Sequence, residues 1–153
     1  MLILNNFINR LQLFHPVKLG IICFFIEILN SLIFAFAFPD VKGGEFVNIY
    51  EEIIVAGLVA PLVETYFVQH LVIQNVLKYS KGNLLLAWIL SAIVFGLAHT
   101  YSVIYVAKTF VSGLIFGILY LTLAESTNKA FLYVAATHSA FNFFAISINH
   151  LFP

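Results

Sequence analysis

The chain has 153 residues, 62% hydrophobic and 9% charged, with a mean hydropathy of +1.02. A soluble domain carries about 25% charged residues, so this composition belongs in lipid rather than in water. Zero net charge and a pI near 7.0 give no support to a nucleic-acid partner, and a single cysteine, Cys23, excludes both an internal disulfide and a cysteine-rich zinc site.

Residues 1–18 are too interrupted by Asn5, Asn6, Asn9, Arg10 and Gln12 to cross a bilayer. Their apolar members Leu4, Phe7, Ile8, Leu11 and Phe14 recur at helical spacing, which predicts a helix lying in the membrane interface. Residues 19–38 form the first apolar run, long enough for about 30 Å of helix, and Pro39-Asp40 stops it. Glu27 lies inside that run with Asn30 and Ser31 one turn on, and reads as a structural or cavity-facing group. Residues 39–52 are a loop in which Asp40, Glu45, Glu51 and Glu52 outnumber Lys42 and in which Gly43-Gly44 mark a turn. Asn48, followed three residues later by Glu51, has the pattern of an N-cap with its capping box.

The second apolar helix is expected to run to Leu77, kinked by Pro61 one turn before Glu64. A basic turn at Lys78, Lys81 and Gly82 leads to a third helix over residues 84–106 carrying His99, with Lys108 in a short connection. A fourth helix over 109–124 contains Gly113 and Gly117, a small-xxx-small face that permits close approach of a neighbour. A fifth over 130–151 carries His138 and Asn142. The expected architecture is an all-α integral membrane protein of about five transmembrane helices, preceded by the interfacial segment. Residues 19–153 form one membrane domain whose functional core spans 53–151. Arg10, Lys18, Lys78, Lys81 and Lys129 fall on one side and only Lys42 and Lys108 on the other, which predicts a cytoplasmic N-terminus.

Glu64 is the centre of the functional reading. A carboxylate near the middle of an apolar span costs at least about 2.5 kcal/mol on insertion scales, so it implies a partner, a wet cavity or a chemical role. Among the other spans, Glu27, His99 and His138 sit at comparable positions. Measured from the basic, N-terminal side, Glu64 and His99 come out about 20 and 22 Å deep, but His138 only about 12 Å. A short fourth helix, lifting the turn at 125–129, is the expected repair.

His138 and Asn142 are four residues apart and share one helix face, as do Phe95 and His99, and Thr65 and Gln69. An amide hydrolase needs a base to activate water and donors for the oxyanion that forms. Glu64 suits the first task. Histidine N–H groups and the Asn142 amide suit the second. Glu64, His99 and His138 are also possible ligands for an ion such as Zn2+, a second way to activate water, and a metal-free glutamate mechanism stands beside it. The plainer readings are interhelical hydrogen bonding for Glu64 and Asn142, packing for His99, and a supporting role for Thr65 and Gln69. His70 and His150 have no partner by sequence, and Trp88, Tyr101, Tyr105 and Tyr133 read as packing or interface aromatics. An ion or proton path is a further use of intramembrane Glu and His. The absence of internal repeats weighs against it.

The motifs Glu64-Thr65-x-x-x-Gln69, Phe95-x-x-x-His99 and His138-x-x-x-Asn142, in that order on successive helices, resemble the CPBP family of intramembrane proteases. That family includes the type II CAAX prenyl endopeptidases and the bacterial bacteriocin-processing or self-immunity (Abi) proteins. The resemblance covers residues 60–142. It implies a peptidase of the bacterial plasma membrane in which Glu64 activates water, His99 and His138 bind the water or the oxyanion, and Asn142 stabilises the tetrahedral intermediate. The substrate it implies is a membrane-associated peptide or protein tail. The sequence departs from the family's usual Glu-Glu-x-x-x-Arg at the first motif, where Thr65 and Gln69 replace an ion pair by a neutral Thr–Gln pair. A non-catalytic immunity or regulatory protein holding a peptide in the same cavity is the alternative.

Overall fold

The computed structural model describes residues 2–151. Six helices follow one another: α1 (Leu2–Leu11), α2 (Pro16–Ala37), α3 (Ile49–Tyr79), α4 (Leu84–Leu97), α5 (Val103–Ser126) and α6 (Ala130–Leu151), with no strand among the described residues. α2, α3, α5 and α6 are long and apolar enough to cross a membrane, and α4 is a shorter apolar helix of 14 residues. The protein is an all-α membrane bundle, as its composition predicts.

The helices are polar inward and apolar outward. On α2 the buried stripe is Leu19, Gly20, Cys23, Glu27 and Asn30, while Ile21, Phe25, Leu29, Leu32, Ile33 and Phe36 are exposed. Such a helix would be inside out in water and is correctly placed in lipid. α1 is tied to the bundle more firmly than an interfacial segment requires. Ile8 is buried, and Gln12 donates to Glu125 at the end of α5 at 2.8 Å.

α5 is the core helix, with its buried residues running from Thr109 to Leu123. Its Gly113 and Gly117 admit α4, as expected of a small-xxx-small face: a Cβ at Gly113 would lie 2.8 Å from Cα of Ala92, and one at Gly117 would lie 3.0 Å from the Trp88 ring.

The structure corrects the boundary between the third and fourth predicted helices. α4 ends at Leu97, and Ser102 caps α5 by accepting from the Tyr105 N–H at 3.1 Å. Residues 103–106 therefore start α5, and Lys108 lies within that helix rather than in a connection. An unbroken apolar pattern conceals a helix end when both neighbours are equally apolar. α5 has 24 residues, about 36 Å, so the short helix invoked to raise His138 does not exist.

The depth of His138 is explained from the opposite end. α3 and α6 run antiparallel, and their far ends are pinned where His150 Nε2 meets Glu52 Oε2 at 2.8 Å. Glu64 and His138 each lie 12 residues from that contact. α3 has 31 residues and α6 has 22, so the excess of α3 projects entirely on the N-terminal side. The apparent 10 Å mismatch came from measuring along that overhang.

Pro61 does not kink α3 but accompanies a change of helix type. The turns Ile53–Val59 and Thr65–Val72 are π-helical, and Ala60–Glu64 between them is α. The Ala60 N–H bonds to Val55 O, five residues back. The expected cap is present, with Asn48 Oδ1 accepting from the Glu51 N–H at 3.0 Å, while the Glu51 carboxylate accepts from the Val47 N–H at 2.7 Å.

Candidate active site

Three spans deliver three ionisable side chains to one place. Glu64 Oε1 is 3.6 Å from His99 Nε2, and Glu64 Oε2 is 3.8 Å from His138 Nε2. Glu64 is on the α turn of α3, flanked on both sides by π turns. His138 is on α6. His99 is not on a helix at all but in the break between α4 and α5, just beyond the Ala98 cap. Glu64 and His99 are partly accessible, with side chains 22% and 17% exposed, whereas His138 at 5% is the buried wall.

The imidazoles are held by their surroundings. His99 Nδ1 lies 2.8 Å from the Phe95 carbonyl. A carbonyl can only accept, so Nδ1 carries the proton, and in neutral His99 the Nε2 facing Glu64 is a bare acceptor. A carboxylate and a bare nitrogen at 3.6 Å do not bond to each other, but both can accept from one water. The Phe95 ring touches both imidazoles, with centroids 4.9 Å from His99 and 5.7 Å from His138. Phe116 of α5 stacks on His138 at 4.5 Å, and Tyr105 of α5 lies 6.2 Å from His99 with Lys108 Nζ above its ring. The site thus has an aromatic collar. Tyr105 was expected only to pack and Phe116 carried no sequence signal, because a ring four residues from a glycine in an apolar helix looks like any other.

Asn142 is one turn from His138 on the same face, but its amide nitrogen is 2.7 Å from the Ala56 carbonyl and donates to it. Thr65 and Gln69 are both fully buried, and the neutral pair expected between them is not formed. Neither the Thr65 hydroxyl nor either end of the Gln69 amide has a protein partner. The π turn that begins at Thr65 alters the i,i+4 stacking on which that pair depended.

Two histidines assumed to be partnerless have partners: His150 meets Glu52, and His70 Nδ1 is 2.6 Å from the Tyr120 hydroxyl. Glu27, matching no motif, accepts from Ser112 and from Asn30, at 3.3 Å for Asn30, and so ties α2 to α5 behind the collar. Each imidazole addresses its own oxygen of Glu64, and among the described residues no three His, Cys, Asp or Glu side chains converge as a metal-ligand set.

A family model described as type II CAAX prenyl endopeptidase Rce1-like matches residues 46–144, the segment holding Glu64, His99 and His138. No curated protein and no solved structure matches the chain.

Proposed function

The chain belongs to the Rce1-like family of type II CAAX prenyl endopeptidases, and from that premise we propose that it is an intramembrane endopeptidase in which Glu64 activates the attacking water. The single observation carrying this reading is the meeting of Glu64 with His99 and His138 at 3.6 and 3.8 Å within an apolar bundle.

The steps follow from the hydrogen-bond inventory. A water between Glu64 and His99 donates one hydrogen to the carboxylate and the other to His99 Nε2, which turns its lone pairs toward a peptide carbonyl. Glu64 takes a proton as the oxygen attacks, and the tetrahedral oxyanion accepts from His138 Nε2–H and from the second amide hydrogen of Asn142. Glu64 then hands its proton to the leaving nitrogen, and the C–N bond breaks. The residues do not gather as ligands for an ion, so no step is routed through one. The substrate is a membrane-associated peptide. Beside the His99 turn, an apolar groove of about 330 Å³ lined by Ile93, Gly96, Leu97, Val103, Val106 and Phe110 is suited to its lipid-like portion. The lysine and arginine bias puts the N-terminus in the cytoplasm.

Thr65 and Gln69, standing where the family has a charged pair, favour a second reading, in which the same cavity binds a peptide without cutting it. Purified protein in lipid nanodiscs, given a quenched peptide with and without a prenyl group, separates the two. Cleavage by the native chain and none by a folded Glu64→Gln variant is the expected result. Binding without cleavage by the native chain, or equal cleavage by both, rejects the enzyme.

A further inference from the structure

Hydrolysis inside a bilayer consumes one water per turnover, and lipid does not supply it. Below Glu64, toward the side of α1, α3 carries Thr65, Gln69, His70 and Gln74 within an otherwise apolar span. Glu64, Gln69 and Gln74 are five residues apart, and the π turn over Thr65–Val72 draws residues at that spacing toward one side of the helix.

The groups along this stripe fall into two states. At the lower end, exposed Gln74 donates to the Tyr120 hydroxyl at 3.3 Å, and the same hydroxyl meets His70 Nδ1 at 2.6 Å. At the upper end, Thr65 Oγ1, both amide atoms of Gln69 and His138 Nδ1 are buried with no protein partner. α5 ties the two ends together, since Tyr120 lies one turn from Phe116, the ring stacked on His138. Polar residues that merely hold helices together are bonded across the interface. Gln69 is not, and each unbonded buried group costs about 1–3 kcal/mol, so these atoms are placed for something that enters. A polar, roomy site with several free donors and acceptors takes up water.

We propose that Gln74, Tyr120, His70, Gln69 and Thr65 line the route by which water reaches Glu64 from the side of the N-terminal helix. This rests on the hydrolytic reading for its purpose but not for its test. Water enters past Gln74, exchanges along the His70–Tyr120 contact, and passes Gln69 and Thr65 to the buried face of His138. The route lies opposite the residues 38–48 loop, whose Gly43 and Gly44 press against the Tyr105 and Tyr101 hydroxyls on the far side of the site.

Thiol labelling tests this without any activity. In a Cys23→Ser background, single cysteines are introduced by Gln69→Cys and, for comparison, by Phe67→Cys, a position two residues away that is exposed on the outer surface of the bundle. Only the thiolate reacts, and only water supports the thiolate, so a charged, impermeant reagent applied to sealed vesicles should label position 69 at least about tenfold faster than position 67. Labelling should occur from the N-terminal side and should slow when Gln74→Leu is added. Equal rates at 69 and 67, labelling only from the opposite side, or indifference to Gln74→Leu overturns the route. If Gln69→Cys does not fold, Thr65→Cys gives the same readout. Fast labelling together with a fully active Glu64→Gln enzyme would leave the route standing and reject the hydrolytic reading instead.

Discussion

Asn142 donates to the main-chain carbonyl of Ala56 at 2.7 Å, and Pro61 is the reason that carbonyl is free. In an α-helix Ala56 O would accept from the N–H of residue 60, but that N–H is bonded to Val55 O. The next candidate, residue 61, is a proline without an N–H. A carbonyl left unpaired in a membrane span needs a substitute donor from a neighbouring helix, and Asn142 provides it. One proline on α3 and one asparagine on α6 are therefore halves of a single device, which also holds Glu64 opposite His138.

The dependence is testable as a cycle. Asn142→Ala should destabilise the fold by about 1–3 kcal/mol by orphaning the Ala56 carbonyl. Pro61→Ala restores a main-chain N–H, so in that background the same change should cost less, with a coupling of about 1 kcal/mol. Denaturant titration of the protein in micelles followed by circular dichroism measures all four corners. Additive effects would show that Asn142 is not answering to Pro61.

Glu64→Asp keeps the charge but withdraws the carboxylate by about one methylene. Its oxygens no longer reach the midpoint between Nε2 of His99 and the water. A misplacement on the order of 1 Å costs about 100-fold, so kcat should fall by that amount with KM little changed. An unchanged kcat measured with the quenched peptide would mean that Glu64 is not the base.

His99 and His138 occupy one water and one oxyanion between them. Removal of either by Ala substitution should lower kcat by about 100- to 1,000-fold, the range found for single oxyanion donors. The double variant should be hardly worse than the weaker single one, because groups acting as a unit are not additive. Strictly multiplicative losses in the same assay would separate their roles.

Glu27 gives a contrast between holding and catalysing. Glu27→Gln keeps an acceptor for the Ser112 hydroxyl and should alter stability little. Glu27→Leu removes it and leaves only the Lys108 carbonyl, which both Ser112 and Asn30 already approach at 3.3 and 3.4 Å. A loss of about 1 kcal/mol is expected. A thermal-unfolding midpoint that rises in Glu27→Leu would show that the buried carboxylate strains the α2–α5 contact instead of securing it.

What the sequence made legible was chemistry and caps; what it hid was direction and partners. Glu64, His99 and His138 stand out because an ionisable group in an apolar run has few innocent explanations, and Asn48 announces itself by its spacing to Glu51. The helix end at Leu97 was invisible because the residues on both sides are apolar. The level of His138 was misjudged because the two spans were aligned at the ragged ends instead of at the Glu52–His150 contact. His70 and Tyr120 are 50 residues apart, a separation no local pattern spans. The π turns escaped notice for a related reason: period counting assumes one pitch throughout, and α3 changes pitch twice.

Those changes of pitch leave a mark on which length variants the protein tolerates. Each wide turn lodges surplus backbone within a rod whose two ends are already fastened to other helices. Excising one residue from Ile53–Val59 would let that stretch rewind to the ordinary spiral, swinging everything beyond it by roughly 100°. Glu64 would then point away from both imidazoles while every side chain of the trio remained present. Related chains that keep all three residues yet lack one position in this stretch should therefore be inert, and presence of the motif alone is an insufficient guide to activity.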